Sequence, residues 1–300
     1  RGMRTFAFII VCLLLCSCGN GNTQEYGATS GNREESAPSV VDELPLPSVP
    51  GYIVEPQERA AFVLAHFWNA MDFGNHDLSL DTGFMEQNFV NFVSLFDYAD
   101  SSAVAHGVRV LLDKAGKDER SFAFLTATAD RYLRDPESPM YNEEHHAYFL
   151  RALLATDRLK GVERERAEYN LDVAMKNSRG TRAADFRFVT REGRETRLSD
   201  FCREHGLTLL MFYDPDCESC SDVIARLSRG MVPEGASVLA IDAEGDRERW
   251  DNTRDAMPAD WAVGYALDDI IEDELYVLPA MPVIYILDSS ATVLAKDARL

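Results

Sequence analysis

Two cysteines separated by two residues, Cys217-Glu218-Ser219-Cys220, are the side chains in this 300-residue sequence best placed to do chemistry. Such a pair can serve as half a zinc site, a structural disulfide or a redox centre, so the flanking elements must decide among them. Immediately upstream, residues 207–213 form an unbroken apolar run whose length and lack of alternation predict a strand buried on both faces. Asp214-Pro215-Asp216 then predicts a turn, because proline fixes its own φ and biases the residue before it away from the helical basin. Beyond it, Cys220, Val223, Ile224 and Leu227 have the spacing of one helix face. The pair is therefore predicted where a buried strand meets the first turn of a helix, whose unpaired amides and positive macrodipole end stabilise a thiolate. In that position Cys217 is the exposed nucleophile. Cys220 lies one turn further in, on the buried face, within reach to close a disulfide.

At these residues the sequence resembles the thioredoxin superfamily. Ala280-Met281-Pro282-Val283 looks like the family's second landmark, a cis-proline that opens a core strand and packs against the active-site cysteines, and Pro282 matches it. The stretch from Ala184-Asp185-Phe186 through Gly193 to Leu198-Ser199-Asp200-Phe201 resembles the amino-terminal hairpin of the periplasmic TlpA-type branch. The resemblance implies a thiol-disulfide exchange site, with Met281 and Pro282 offering backbone groups to a client. The chain departs from the family pattern at several places. Asp216 stands where thioredoxins carry tryptophan, Glu218-Ser219 replaces Gly-Pro, and Met211 occupies the position of a buried acid. Asp214, Asp216 and Glu218 also surround Cys217 with negative charge, which opposes the helix dipole and is expected to push the pair toward reducing.

Zinc is the main chemical alternative, because Cys202-Arg203-Glu204-His205 precedes the Cys217 pair. A seven-residue strand between the two sets holds them roughly 20 Å apart, whereas zinc–sulfur bonds are about 2.3 Å. Cys202 is then expected to be a half-buried free thiol. No metal, nucleotide or other cofactor is expected.

With 46% hydrophobic residues and a net charge of −20, the chain can bury real cores, and its charge argues against a nucleic-acid surface. Arg1 and Arg4 precede an apolar run over 5–15, too short to span a bilayer and suited to a secretory signal. It ends in Leu15-Cys16-Ser17-Cys18, which resembles the lipobox of bacterial lipoproteins, with Cys18 as the acylated residue; an ordinary signal peptide leaving Cys18 as a spare thiol is the alternative. Residues 1–17 are thus expected to be a signal segment and 18–51, rich in Gly, Asn, Ser, Glu and Pro, a flexible tether. Export to a bacterial membrane, facing the periplasm or the cell surface, permits disulfide chemistry.

Residues 52–178 read as helical throughout, and 183–300 as the thioredoxin-like domain, an α/β sandwich around a mixed sheet. Phe89, Phe92, Val93 and Phe96 mark one helix face, read as core with a client-holding surface as the alternative. Glu143-Glu144-His145-His146 reads as a charged first turn in preference to a metal site. Past the second parallel strand at 237–242, a loop is expected from 257 to 279, then the Pro282 strand and an edge strand at 292–296. Thioredoxin-like chains end in a helix, whereas this sequence stops at Leu300. Either the fragment is incomplete or another element, such as the helical domain, covers that sheet face.

A lipobox, a helical domain and a thioredoxin-like domain in this order resemble thioredoxin-like lipoproteins of Gram-negative anaerobes, whose helical part is a domain of unknown function. The expected activity is disulfide exchange with client proteins, Cys217 attacking, Cys220 resolving, Asp216, Glu218 and Ser219 tuning the pair, and a further redox partner resetting it. The competing expectation is a non-catalytic binding lipoprotein whose cysteines form a static staple.

Overall fold

Helix starts in the first half of the chain are set mainly by acidic and amide caps. In the computed structural model, which describes residues 43–243 and 246–296, α1 (Pro56–His66) opens with proline in its first turn, where a missing N–H costs nothing. Asn75 caps α2 (His76–Ser79), Asp81 caps α3 (Thr82–Val93), and Asp118 caps α5 (Glu119–Leu133). The cap of α4 (Ser101–Ala115) is Asp100, its carboxylate accepting the Ala103 N–H at 2.9 Å. Asn142 caps α6 (Glu143–Leu154), and Gly161, at φ 53°, precedes α7 (Val162–Met175).

These helices enclose an aromatic core. Phe89, Phe92, Val93 and Phe96 are buried in it with Phe67, Trp68 and Phe149, so that stripe is interior and offers no face to a client. The expected signal segment 1–17, the acyl acceptor Cys18 and the tether as far as residue 42 lie outside the described residues. Where the tether expectation is described it is corrected. Leu44 is buried and its N–H donates to Asn88 Oδ1 at 2.8 Å, so the chain is held against the helical core well before residue 51.

The second half is a seven-stranded mixed sheet in the order β2-β1-β5-β4-β3-β6-β7. Its strands are β1 (Arg187–Thr190), β2 (Glu195–Arg197), β3 (Thr208–Tyr213), β4 (Ser237–Asp242), β5 (Ala262–Ala266), β6 (Val283–Leu287) and β7 (Val293–Lys296). Helix α8 (Leu198–His205) precedes β3, α9 (Glu218–Arg226) follows it, and α10 (Arg247–Thr253) follows β4. Strand β3 is buried along its whole length because it lies between parallel β4 and antiparallel β6 with helices over both faces. Alternate residues divide the two cores. Leu210 and Phe212 pack with Phe186, Cys202 and Tyr276, while Leu209, Met211 and Tyr213 pack with Cys220, Leu227 and Trp261.

Two expectations are corrected here. The segment expected to be loop contains β5, which pairs with β4 and β1, and its Gly264 is needed because an added Cβ would lie 2.5 Å from Phe188 Cδ2. Cys202 is fully buried instead of half-buried, and burial raises its thiol pKa to about 11. It faces the core opposite to that of Cys220, so the sheet itself separates the two cysteines.

Among the described residues, the helical and sheet portions belong to one compact unit. The connecting segment runs along the edge strand: Gly180 N–H donates to Val293 O at 2.8 Å and Val293 N–H to Thr181 O at 2.9 Å, which covers an otherwise open edge. Lys296, only 3% exposed, donates to Glu143 of α6 at 2.5 Å and to the Lys176 carbonyl at 2.8 Å. The four residues Glu143 to His146 diverge to separate partners: Lys296, Arg179, Asp97 and Asp130 in turn.

Candidate functional site

Strand β3 delivers the chain to the rim of the sheet, and the turn Asp214-Pro215-Asp216 redirects it into α9. The Cys217 N–H donates to the Asp214 carbonyl at 3.2 Å, and the Asp216 N–H to Asp214 Oδ1 at 2.9 Å, so the turn is closed by its own acid. Cys217 is the N-cap of α9, one position earlier than a first-turn residue. Its Sγ accepts the Cys220 N–H at 3.3 Å, as an aspartate or serine oxygen does in an ordinary cap. The helix therefore offers this sulfur an amide and the positive end of its dipole.

Cys220 lies beneath, buried against Met211, Tyr213 and Leu227. Burial, and then the hydrogen bond with Cys217, pushes its thiol well above the ordinary value. Both cysteines are free thiols, Cys217 half-buried and Cys220 buried. Across the rim, the Met281–Pro282 peptide bond is cis, and the Cys217 thiol donates to the Met281 carbonyl at 3.4 Å. Met281 packs against the same cluster as both cysteines, and Met281 and Pro282 retain solvent-accessible surface. The structure thus brings Cys217, Cys220, Met281 and Pro282 together, with Asp216, Glu218 and Ser219 exposed around the nucleophile.

Helix α10 brings a cation to the acidic surround of Cys217. Arg249 Nη1 lies 3.2 Å from Asp214 Oδ1 and 3.3 Å from Asp216 Oδ2, so one guanidinium offsets both carboxylates of the turn. Sequence reasoning missed Arg249, which stands 32 positions beyond Cys217. It also missed Asp242, fully buried at the end of β4 and in register with Tyr213. Met211 carries no charge, but the neighbouring strand places the Asp242 acid on the same sheet face. Burial first, and then the charge of Asp242, raises the Tyr213 phenol far above its ordinary value.

The site lies at the rim of the sheet. Two shallow, open hollows, of about 450 and 350 Å³, lie elsewhere. One is lined by His205, Pro233 and Trp261 at the opposite ends of the strands, the other by Arg109, Tyr148 and Arg151 between α4 and α6. An open thiol beside backbone groups suits a macromolecular disulfide better than an enclosed small molecule. Among the described residues no cluster of three or more His, Cys, Asp or Glu side chains is arranged to hold a metal, and no helix is long and apolar enough to cross a membrane.

A family model described as a domain of unknown function (DUF5106) matches residues 17–177. A thioredoxin-like protein from Bacteroides caccae superposes with a TM-score of 0.75 at 30% identity, over 85% of this chain and 94% of that one. The C-terminal domain of a Bacteroides fragilis protein is 32% identical over 42% of this chain and 93% of that one, with a TM-score of 0.39. The thioredoxin domain of a thiol-disulfide oxidoreductase from Bacteroides vulgatus is 18% identical over 41% of this chain and 90% of that one, with a TM-score of 0.35. No curated protein matches the sequence.

Proposed function

Because the chain belongs to the DUF5106 family and carries a thioredoxin-like domain, we propose that it is a thiol-disulfide oxidoreductase acting on protein disulfides through Cys217 and Cys220. The observation that carries this reading is the placement of Cys217 at the cap of α9 with its sulfur against the Met281 carbonyl, beside cis Pro282. A thiol so placed receives a helix amide and is reachable by an extended client strand.

In the reducing direction, the Cys217 thiolate attacks one sulfur of a client disulfide. A Cys217–client bond forms, the client S–S bond breaks, and the second client sulfur leaves as a thiolate that takes up a proton. Cys220 then loses its proton and attacks the Cys217 sulfur, forming the Cys217–Cys220 disulfide and releasing the first client sulfur. The client gains two electrons and the pair loses them, so a further dithiol partner must reset it. Burial of Cys220 keeps its thiol protonated until this second step, which limits premature closure. Arg249 moderates the acidic surround of Cys217 and holds the turn that presents it.

In the same proposal the protein works outside the cytosol, attached to a bacterial membrane by lipid on Cys18. The support is in the sequence, where Arg4, the apolar run over 5–15 and Cys18 follow in lipobox order. One experiment addresses both parts. In a bacterial host, the Cys220→Ser chain is expected to accumulate mixed disulfides through Cys217 in the membrane fraction, and to leave that fraction when Cys18→Ser is added. A monomer without mixed disulfides, together with a wild type that does not reduce a model disulfide protein, would leave a binding module with a static Cys217–Cys220 staple.

A further inference from the structure

The helical domain grips one loop of the thioredoxin-like domain at several points, and that loop runs directly into Met281 and Pro282. The loop joins β5 to β6. At the end of α7, Lys176 Nζ donates to Glu274 Oε2 at 2.7 Å and to the Glu274 carbonyl at 3.0 Å. Tyr169, earlier in α7, donates its hydroxyl to Glu274 Oε1 at 3.3 Å. The next residue of each partner repeats the contact: Asn177 Nδ2 donates to the Leu275 carbonyl at 2.8 Å, while Asn177 Oδ1 accepts the Ala184 N–H at 2.8 Å.

Both sides of this clamp are themselves fixed. Tyr276, buried beside the gripped residues, donates to the Ala184 carbonyl at 2.7 Å and packs on Phe212 with ring centroids 4.7 Å apart. The Lys176 carbonyl accepts from buried Lys296. Glu274 and Asn177 also share an uncommon backbone state, with φ of 48° and 49°. Asparagine adopts this state readily just past a helix end, as Asn177 does after the Lys176 C-cap, whereas glutamate seldom does, so Glu274 is the residue its contacts must hold there.

We propose that α7 holds the client-binding loop through Glu274 and Leu275, so that Lys176 and Asn177 are positioning residues that set how Met281 and Pro282 meet a client strand. This rests on the reading of Met281 and Pro282 as the client contact. It gives the helical domain a task in the exchange reaction without any contact to the sulfurs. The loop has only Leu275 to Ala280 between the gripped residue and Met281. A shift at Glu274 is therefore passed to the backbone a client pairs with, while Cys217 keeps the Cys220 N–H of its own α9 cap and touches that backbone at the Met281 carbonyl.

The test uses the full chain and two disulfide probes, a disulfide-bonded extended peptide and the small aromatic disulfide 5,5′-dithiobis(2-nitrobenzoate). The peptide needs strand-like pairing, and the small probe needs only the thiolate. Lys176→Met and Glu274→Gln are each expected to lower the peptide-to-small-probe rate ratio about threefold to tenfold, through KM for the peptide. The double variant is expected to be no worse than either single one, and Lys176→Arg to restore the ratio. An unchanged ratio, or effects that add in the double variant, would overturn the proposal. Should the wild type reduce neither probe, the oxidoreductase reading fails, and amide exchange over residues 270–282 still tests the clamp. Faster exchange there in Lys176→Met supports it, and exchange equal to wild type overturns it.

Discussion

Replacing Arg249 by methionine, which keeps most of the side-chain volume, removes the one cation that touches both carboxylates of the active-site turn. Asp214 is 27% exposed and Asp216 75%, so the ion pairs are partly screened and the full low-dielectric energy does not apply. Withdrawal of a unit positive charge from such a half-solvated site is worth about 0.5–1 kcal/mol to a neighbouring anion. The anion that matters is the thiolate of the reduced pair, since the disulfide carries no charge. Its destabilisation favours the oxidised form, and the midpoint potential is expected to become more negative by about 10–20 mV. Equilibration of the chain with a graded dithiothreitol buffer, followed by alkylation of the remaining thiols, reads that midpoint. The shift should grow as ionic strength is lowered. Asp216→Asn should move the potential the other way, and the double variant should lie between. A midpoint that rises in Arg249→Met, or that stays put at low salt, would refute the assignment of Arg249 as the counter-charge.

Two further outcomes follow from the geometry. Because burial raises the Cys220 thiol, and does so whether or not Cys217 is tied up in a mixed disulfide, its thiolate fraction at neutral pH is small and grows tenfold per unit. Release of a thiol probe from a preformed Cys217 mixed disulfide should therefore accelerate about tenfold per unit between roughly pH 6 and 8, and a flat profile would exclude Cys220 as the resolving group. Gly264→Ala places a methyl 2.5 Å from Phe188 and 2.8 Å from Ile241 Cδ1. It is expected to lower stability in urea by about 1–3 kcal/mol, and a loss below about 0.5 kcal/mol would show that the core yields there.

What the sequence determined by itself is short-range. The apolar run before the pair, the Asp-Pro turn and the helix-face spacing after it specify a strand–turn–helix, because burial on two faces, a locked φ and a 3.6-residue period act over a few neighbouring residues. The two-domain class, with helices first and a mixed sheet second, was legible for the same reason. β5 was not, since Ala262 to Ala266 is rich in small residues and Gly264 reads as a breaker until Phe188 and Ile241 are seen to fill the space beside it. Tertiary structure alone decided the electrostatics and the support of the site. Arg249 reaches Asp214 and Asp216 because α10 sets it beside the turn, and Asp242 stands beside Tyr213 because two parallel strands are in register. Lys176 meets Glu274 across 98 positions of sequence. Charges and hydrogen bonds act through space without a period along the chain, so only the folded arrangement states which of the 50 acidic and 30 basic residues confront one another.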